Sequence, residues 1–516
     1  MIAFTEVLIK AEIKILNLYG SPQKPIRLAS IPIIDDEAYL DGVIVGVRIT
    51  IPTTDVFSRR FQSPDVELDV ICRAKELSDT SFVQRSSIHI SWAPYKKGER
   101  YAPRQMWEGK IESVRSVGAK IRIRASFLFD QVFSRIIAPD LTSYVDLEVY
   151  PFLESRKLSW SAPIVYGLHE KTDASGQGLL VGHVLSSTDV LTDIAWGVCR
   201  GGTSQILDAY TQNISDNSIA LVSPSSYTAH TFSTRITDGW DDTVVYVQFS
   251  DDMPDPATQR VLFAVSGQQN EYGSEIDTLP TMIRDICTKT TGDPFPVDRL
   301  LMCETALEHI TGIEKTLSST SVKQIIDELS DQFRLLVFFD GVNTFGIVDQ
   351  LNIDAANAFI MGTQIPSADV KAEQPHGLPD VSQSIAYGWN HVTGAYTGSV
   401  TASNYVSEFL VHESGEVGVI NPKEMSWLKV SSTIPQTIAN KAAALRWTAI
   451  TKLTFAVACV IDNMTIGSVI EFPESVIDKP LLRDRRAVVT GLTVDPLLPV
   501  TEIESYLIEY PGIPMP

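Results

Sequence analysis

The sequence predicts a mainly β, multidomain chain with α+β inserts, and three observations carry that expectation. At 516 residues it exceeds a single ordinary core, so three or four domains of roughly 100–200 residues are expected. Period-two alternation of apolar and polar residues dominates the first 150 residues. Helical periodicity enters only after residue 278, in short windows that run straight into apolar strand-like stretches.

Residues 1–150 read as all-β. In DGVIVGVRITIP, Val43, Val45, Val47, Ile49 and Ile51 alternate with smaller or polar residues, as a half-buried strand requires. VELDVICRA and SSIHISW continue the pattern, and MWEGKIESVRSVGAKIRIRASF reads as a hairpin turning at Gly118-Ala119. Ile121, Ile123 and Ala125 share one face of it; Lys120, Arg122 and Arg124, with Lys110 and Arg115 nearby, form a basic row on the other. That row is either a partner or nucleic-acid surface or a solvated strand face, and the solvated face is the commoner case.

Residues 151–278 switch to short strands broken by Gly, Asp, Ser and Pro, a looser β region with long loops. Residues 279–365 form an α+β insert. Pro280 suits a first helical turn, Met282, Ile283, Ile286 and Cys287 share a face, and Gly292 is placed to stop the helix. A further helical pattern, VDRLLMCETALEHITG, leads to SVKQIIDELSDQFRLLVFFDGVNTFGIVDQ. There Ser321 and Gln324 make a capping box, Val322, Ile325, Ile326, Leu329 and Phe333 form one face, and Leu335–Phe339 turns at Asp340-Gly341 into a returning strand, 344–348. Residues 366–516 are expected to be a second β region with a helix. After a loop-rich stretch at 352–380, Ile438, Ala442, Leu445 and Ala449 mark a helix face, and Leu453, Phe455, Val457, Cys459 and Ile461 alternate as a strand, with Ile466–Phe472 after a turn. The helix-to-strand order thus occurs twice, as expected of two related modules.

Composition narrows function by exclusion. Hydrophobic residues at 44% and charged residues at 20% are those of a globular protein. No apolar run is long enough to span a bilayer, and MIAFTEVLIKAEIKIL lacks the marks of a signal peptide, so folding in a cytoplasm is expected. Cys72, Cys199, Cys287, Cys303 and Cys459 are scattered and form no C-x-x-C pair, which suggests buried fillers rather than disulfides or zinc ligands. A formal charge of −21 argues against a protein that grips nucleic acid, but suits a surface past which nucleic acid must slide.

Catalytic motifs are missing from the sequence: it contains no H-E-x-x-H, Walker A, G-x-S-x-G or G-x-G-x-x-G. GQGLLVG at 176–182 has the wrong spacing for a phosphate loop, and no two histidines sit at metal-ligand spacing. Asp238, Asp241, Asp242, Asp251 and Asp252, in the 238–256 cluster, have the oxygen chemistry of a calcium site, but aspartates in Gly- and Pro-rich turns are ordinary backbone formers. No catalytic, cofactor-binding or metal residue is assigned, and neither enzymatic activity nor a cofactor is expected.

TLPTMIRDICTKTTG, SVKQIIDELSDQFRLLVFFDGVNTFGIVDQ and IANKAAALRW...LTFAVACVIDNMTIGSVIEFP resemble, in order, segments of the hub proteins of bacteriophage tail tips and baseplates. The Ala-rich helix ending near Arg446-Trp447, the turn Gly467–Phe472 and APIVYG at 162–167 share the likeness. The resemblance implies a hub protomer made of tail-tube-like β-barrels, one from 1–150 and one from 366–516. Three copies would form a ring of six barrels that adapts the sixfold tube to the threefold tip. It further implies a homotrimer in the virion tail tip, between the distal tail protein and the central fibre or tip proteins, with the tape measure protein ending inside. Viral DNA would pass through the lumen without specific binding, and the host envelope would be met at ejection. The family often adds receptor-binding modules after the last barrel; the short run beyond Phe472 leads to no such expectation here. Two other readings stand beside the hub. One is a carbohydrate-binding or carbohydrate-cleaving tail protein using Trp196, Trp240, Tyr246 and the Asp cluster; the other is the hub adaptor of a bacterial contractile injection system.

Overall fold

The computed structural model describes residues 7–14, 25–35, 38–40, 42–51, 64–71, 86–96, 99–100, 103–127, 133, 136–137, 154, 162–176, 178–186, 194–201, 203–233, 243–250, 254–270 and 273–291. Beyond these it describes 313–316, 320–333, 335–339, 345–349, 358–373, 382–390, 395–403, 420–425, 433–446, 452–461, 464–474 and 482–507.

The first ten strands are β1 (Val7–Lys14), β2 (Ile26–Ala29), β3 (Ile33–Asp35), β4 (Ala38–Leu40), β5 (Ile44–Ile51), β6 (Asp65–Ile71), β7 (Ser87–Lys96), β8 (Glu99–Arg100), β9 (Arg104–Val117) and β10 (Lys120–Phe127). Seven of them lie in the order β2-β1-β7-β9-β10-β6-β5. The order returns on itself: Ala29 bridges Gly42, and the Val43 N–H donates to the Ala29 carbonyl at 2.9 Å, just ahead of β5. A barrel results, and Ile9, Ile13, Leu28, Leu68, Ile90, Trp107 and Ile123 fill it. Apolar residues at alternate positions of every strand meet inside because successive side chains of a strand point to opposite faces.

In the middle come β11 (Ile136–Ile137), β12 (Pro163–Tyr166), β13 (Leu168–His169), β14 (Leu180–Val181), β15 (His183–Val184), β16 (Ala195–Arg200), β17 (Gln205–Asn213), β18 (Ile219–Leu221), β19 (Tyr227–Ser233), β20 (Thr243–Phe249) and β21 (Gln259–Ser266). Helix α1 (Leu279–Thr291) and strands β22 (Ile313–Thr316) and β23 (Thr320–Ser321) follow. The sheet β19-β20-β16-β12-β22 and the sheet β13-β21-β17-β18 share one core, with Val165, Trp196, Val198, Val247, Phe263 and Val265 in it. Helix α2 (Val322–Phe333) leads to the hairpin β24 (Leu335–Phe339) and β25 (Phe345–Asp349). The expected capping box is present: the Ser321 N–H donates to Gln324 Oε1 at 2.8 Å, and the Gln324 N–H to Ser321 Oγ at 3.2 Å. Val322, Ile325, Ile326, Leu329 and Phe333 are all buried, as are Met282, Ile283, Ile286 and Cys287 of α1. Both faces meet in a core that also takes in Phe127 from β10 and Ile164 and Tyr166 from β12.

The last part holds β26 (Phe359–Ile360), β27 (Lys371–Glu373), β28 (Ser382–Asn390), β29 (Ala395–Ser403), β30 (Ile420–Met425), α3 (Thr433–Arg446), β31 (Lys452–Val457), β32 (Val469–Phe472), β33 (Arg485–Asp495) and β34 (Val500–Leu507). Strands β27-β31-β34-β33 continue to β32 and β26, and the bridge between Met361 and Ile365 ties β26 to the segment entering β27. This second curled sheet encloses Met361, Leu453, Phe455, Ile470, Phe472, Val489, Leu492 and Ile503. The two barrels repeat one connectivity. Strands β5, β6, β7, β9 and β10 neighbour one another as β27, β31, β32, β33 and β34 do, in the same chain order. The connection from β27 to β31 differs in carrying β28, β29, β30 and α3.

The structure revises three expectations. Val45 is exposed rather than inward, because the ladder between β5 and β6 shifts register between Ile44 and Gly46 and so reverses the faces beyond. The stretch expected to be loop at 352–380 contains β26 and β27, too short to show a period but sufficient to complete a barrel. The recurring helix-to-strand order is not a recurring unit: α3 packs on β28 and β29, while β31 and β32 pair with other strands of the second barrel. What repeats is the barrel. Gly292, the helical pattern at 297–312, and Ala449 lie outside the described residues, as do the side chains of Ala442 and Leu445.

Candidate assembly interface

The two barrels are joined edge to edge. Leu492, Thr493 and Val494 of β33 face Ile51, Thr50 and Ile49 of β5 in an antiparallel ladder, which makes the barrels one continuous 14-stranded sheet. The joint is reciprocal. Ile51 packs against the second core, while Leu497, from the turn after β33, packs against the first. Outside it, Arg48 Nη2 meets Glu502 Oε2 at 3.2 Å, across the boundary.

Matching hairpins sit at this level of each barrel. In the ladder of β33 and β34 the register shifts between Val489 and Gly491, and regular pairs then run from Gly491 with Glu504 to Asp495 with Val500. In the ladder of β9 and β10 the extra residue is Glu112, and pairs run from Ser113 with Arg124 to Val117 with Lys120. From bulge to turn the hairpins have equal length, so Val114, Arg115 and Ser116 correspond to Leu492, Thr493 and Val494. The outer edge of β33 is covered first by β32 and then by β5. That of β9 is covered by β7 as far as Lys110, and the Ile111 N–H donates to the Ser86 carbonyl. Beyond it, among the described residues, Ser113–Val117 has no strand on its outer side.

Two members of the basic row on β10, Arg122 and Arg124, are paired. Arg122 Nε holds Asp69 Oδ1 at 2.8 Å, with a second bond from Nη2 to Oδ2 at 3.1 Å, and Arg124 Nη2 holds Asp65 Oδ2 at 2.6 Å. The Arg122 hydrogen bond lowers the Asp69 pKa and outweighs its partial burial. The second barrel carries the same kind of surface: Lys452 pairs with Glu504 at 3.0 Å and Arg486 with Glu471 at 3.1 Å. Arg115, opposite Arg122 on β9, is exposed and has no acidic partner among the described residues.

Candidate chemistry fares differently. Trp196 is buried in the sandwich core, and Tyr246 is buried outside it, stacked on His230, so neither offers an open face on which a sugar would stack. Trp240 and Asp238, Asp241, Asp242, Asp251 and Asp252 lie outside the described residues. Gly176 and Gly178 have positive φ in a turn packed on Ile219, followed by the strand β14 rather than by a helix whose N-terminus would hold a phosphate. Among the described residues no group of three His, Cys, Asp or Glu side chains converges as a metal site, and no helix is long and apolar enough to cross a membrane. Cys199, Cys287 and Cys459 are buried thiols, and burial raises the pKa of Cys287 and Cys459; Cys72 and Cys303 are outside the description. The buried Tyr166 hydroxyl donates to Asp285 Oδ2 at 2.8 Å, tying β12 to α1. Sequence reading missed the joint of β5 and β33. The signal in the residues was the pair of equal-length hairpins, and periodicity alone conceals a bulge.

No protein-family model matches the chain, and no curated protein matches it. Solved structures to which it is similar include a chain from the virion of a native gene transfer agent particle, 12% identical, with a TM-score of 0.47 over 68% of this chain and 85% of that one. Another is the prophage tail protein gp18 from Listeria monocytogenes EGD-e, 10% identical, TM-score 0.40, over 97% of this chain and 94% of that one. A third is a chain of the Francisella PdpA–VgrG complex, 7% identical, TM-score 0.38, over 99% of this chain and 60% of that one.

Proposed function

We propose that this chain is a structural hub of a phage tail tip or baseplate, three copies of which close the distal tube as a ring of six barrels. The observation that carries the reading is the pair of topologically equivalent barrels joined through β5 and β33, because one copy then delivers two ring positions and three copies deliver six. The sequence resemblance to tail hubs points the same way. In this reading 1–150 and 366–516 supply the barrels, the second completed by β26 from the end of the insert, 151–278 the β-rich middle domain, and 279–365 the α+β insert. The net charge of −21 fits a channel that DNA traverses without sticking. The ring stands between the distal tail protein and the central fibre or tip proteins, receives the end of the tape measure protein, meets the host envelope at ejection, and turns over no substrate. Electron microscopy of tails, with native mass spectrometry of the purified protein, should find a three-copy ring; one copy per tail sinks the proposal.

A further inference from the structure

We infer that the outer face of the sheet β13-β21-β17-β18 binds a basic segment of a partner protein, seating a lysine or arginine side chain between Tyr210, Asp208 and Glu170 and an apolar neighbour on Leu221. This surface belongs to the middle domain, so it stands or falls apart from the hub reading.

Alternation along β17 puts Asp208, Tyr210 and Gln212 on one face, opposite Ala264, Leu262 and Arg260 of β21. That face is turned away from the sandwich core. Ala209, Phe263 and Val265 belong to the core, whereas Leu262 and Ala264 pack with Leu179, Tyr210 and Ile219 on the other side. The chain after β13 lies over this face, since a Cβ at Gly176 would meet Ile219 and Leu262. From the same connection Lys171 places its Nζ 5.4 Å from the centre of the Tyr210 ring. Leu221 of β18, directly across from Tyr210, is 61% exposed.

The chemistry left open is that of a cation site. Burial first, then the charges of Asp208 and Glu170, push the Tyr210 hydroxyl above its ordinary value, so both carboxylates stand near it. Neither carboxylate has a hydrogen bond or ion pair among the described residues, because Lys171 rests on the ring instead. Gln212, one step further along the face, is 1% exposed, and its Oε1 accepts no hydrogen bond among the described residues. Arg260 stands opposite Gln212, at the end of the row away from Asp208. Unfilled acceptors thus surround a ring whose face already holds an ammonium, and a partner bringing N–H donors and positive charge completes the set. Lys171 is then the internal occupant, which gives the test its sign.

The test uses the full chain and a fluorescein-labelled peptide of alternating arginine and leucine, read by anisotropy at physiological salt. A chain of net charge −21 attracts any polycation, so a distant lysine serves as the control. Lys171→Ala should tighten binding about threefold by vacating the ring, while Lys371→Ala, the same change of charge on β27, should leave it unaltered. Tyr210→Phe keeps the ring and should retain the affinity; Tyr210→Leu should weaken binding and abolish the effect of Lys171→Ala. Equal responses to Lys171→Ala and Lys371→Ala reduce the binding to net charge and overturn the inference. So does a chain that binds cellohexaose in place of the peptide, which makes this a sugar site, or self-association that Leu221→Ser abolishes, which gives the face to a second copy.

Discussion

The hairpin of β33 and β34 surrenders its outer edge to β5, while the matching hairpin of β9 and β10 meets no described strand there, although bulge position and length agree. The residues along the two edges also differ in kind. At the joined edge Leu492, Val494, Ile49 and Ile51 bring apolar side chains together, with Leu492 4% exposed. At the outer edge of β9 the corresponding positions are Val114, Arg115 and Ser116, with Arg115 and Ser116 exposed. An edge made once, inside a folding chain, tolerates apolar residues. One that waits in solution must be polar enough to resist wrong partners. One architecture thus presents two equivalent edges of different polarity.

The largest expected effect separates the hairpins at their equivalent inward positions. Leu492→Ala removes a buried side chain from the second core and should cost about 2–5 kcal/mol. Val114→Ala acts on a half-buried residue at the margin of the first core and should cost about 1 kcal/mol. Denaturant unfolding of both variants measures the gap, and equal losses would break the comparison.

A second substitution asks how tightly the open hairpin is anchored. A Cβ at Gly109 would collide with the Ser126 carbonyl oxygen across the ladder and lie 2.8 Å from Trp107 Nε1. Both belong to the packed first barrel and have little room to give, so Gly109→Ala should cost about 1–3 kcal/mol. An unchanged melting temperature would mean that the hairpin rides loosely on its barrel.

Smaller, but with a defined sign, is the acid response. Asp69 is held below its ordinary value of 3.8 by Arg122, so the carboxylate stabilises the folded state fully above that value and loses its contribution as pH falls through the lowered one. Melting temperatures between pH 7 and pH 3 should fall less steeply for Asp69→Asn than for the unaltered chain, from a lower start at neutral pH. Parallel curves would show that the ladder on the first barrel is ornamental to its stability.

Much of the fold was legible, and the reason is local. The capping box at Ser321, the buried faces of α1 and α2, and the hairpin at Gly118-Ala119 each follow from residues close in sequence. The closure of the first barrel through Ala29 and Gly42, and the joint between residues 49–51 and 492–494, depend on contacts that no periodicity records. The bulges at Val45 and Glu112 hid more, since an extra residue changes which face is inward without changing composition. The basic row was legible only as a row: that Arg122 and Arg124 engage Asp69 and Asp65 follows from the ladder between β10 and β6, which no local pattern records.

The smallest effect is expected at the joint itself. Arg48 and Glu502 bridge the barrels at 3.2 Å, but their side chains are 58% and 56% exposed, so water and salt screen the attraction. Arg48→Ala should therefore shift stability by about 0–1 kcal/mol, with the difference shrinking as salt rises. The permanent contact would then rest on Ile51 and Leu497, each packed into the other barrel's core, and Leu497→Ala should exceed Arg48→Ala at every salt concentration. A larger loss for Arg48→Ala would reverse the contrast: the joint within the chain would be held electrostatically, and apolar packing would no longer distinguish the edge of β33 from the equivalent edge of β9.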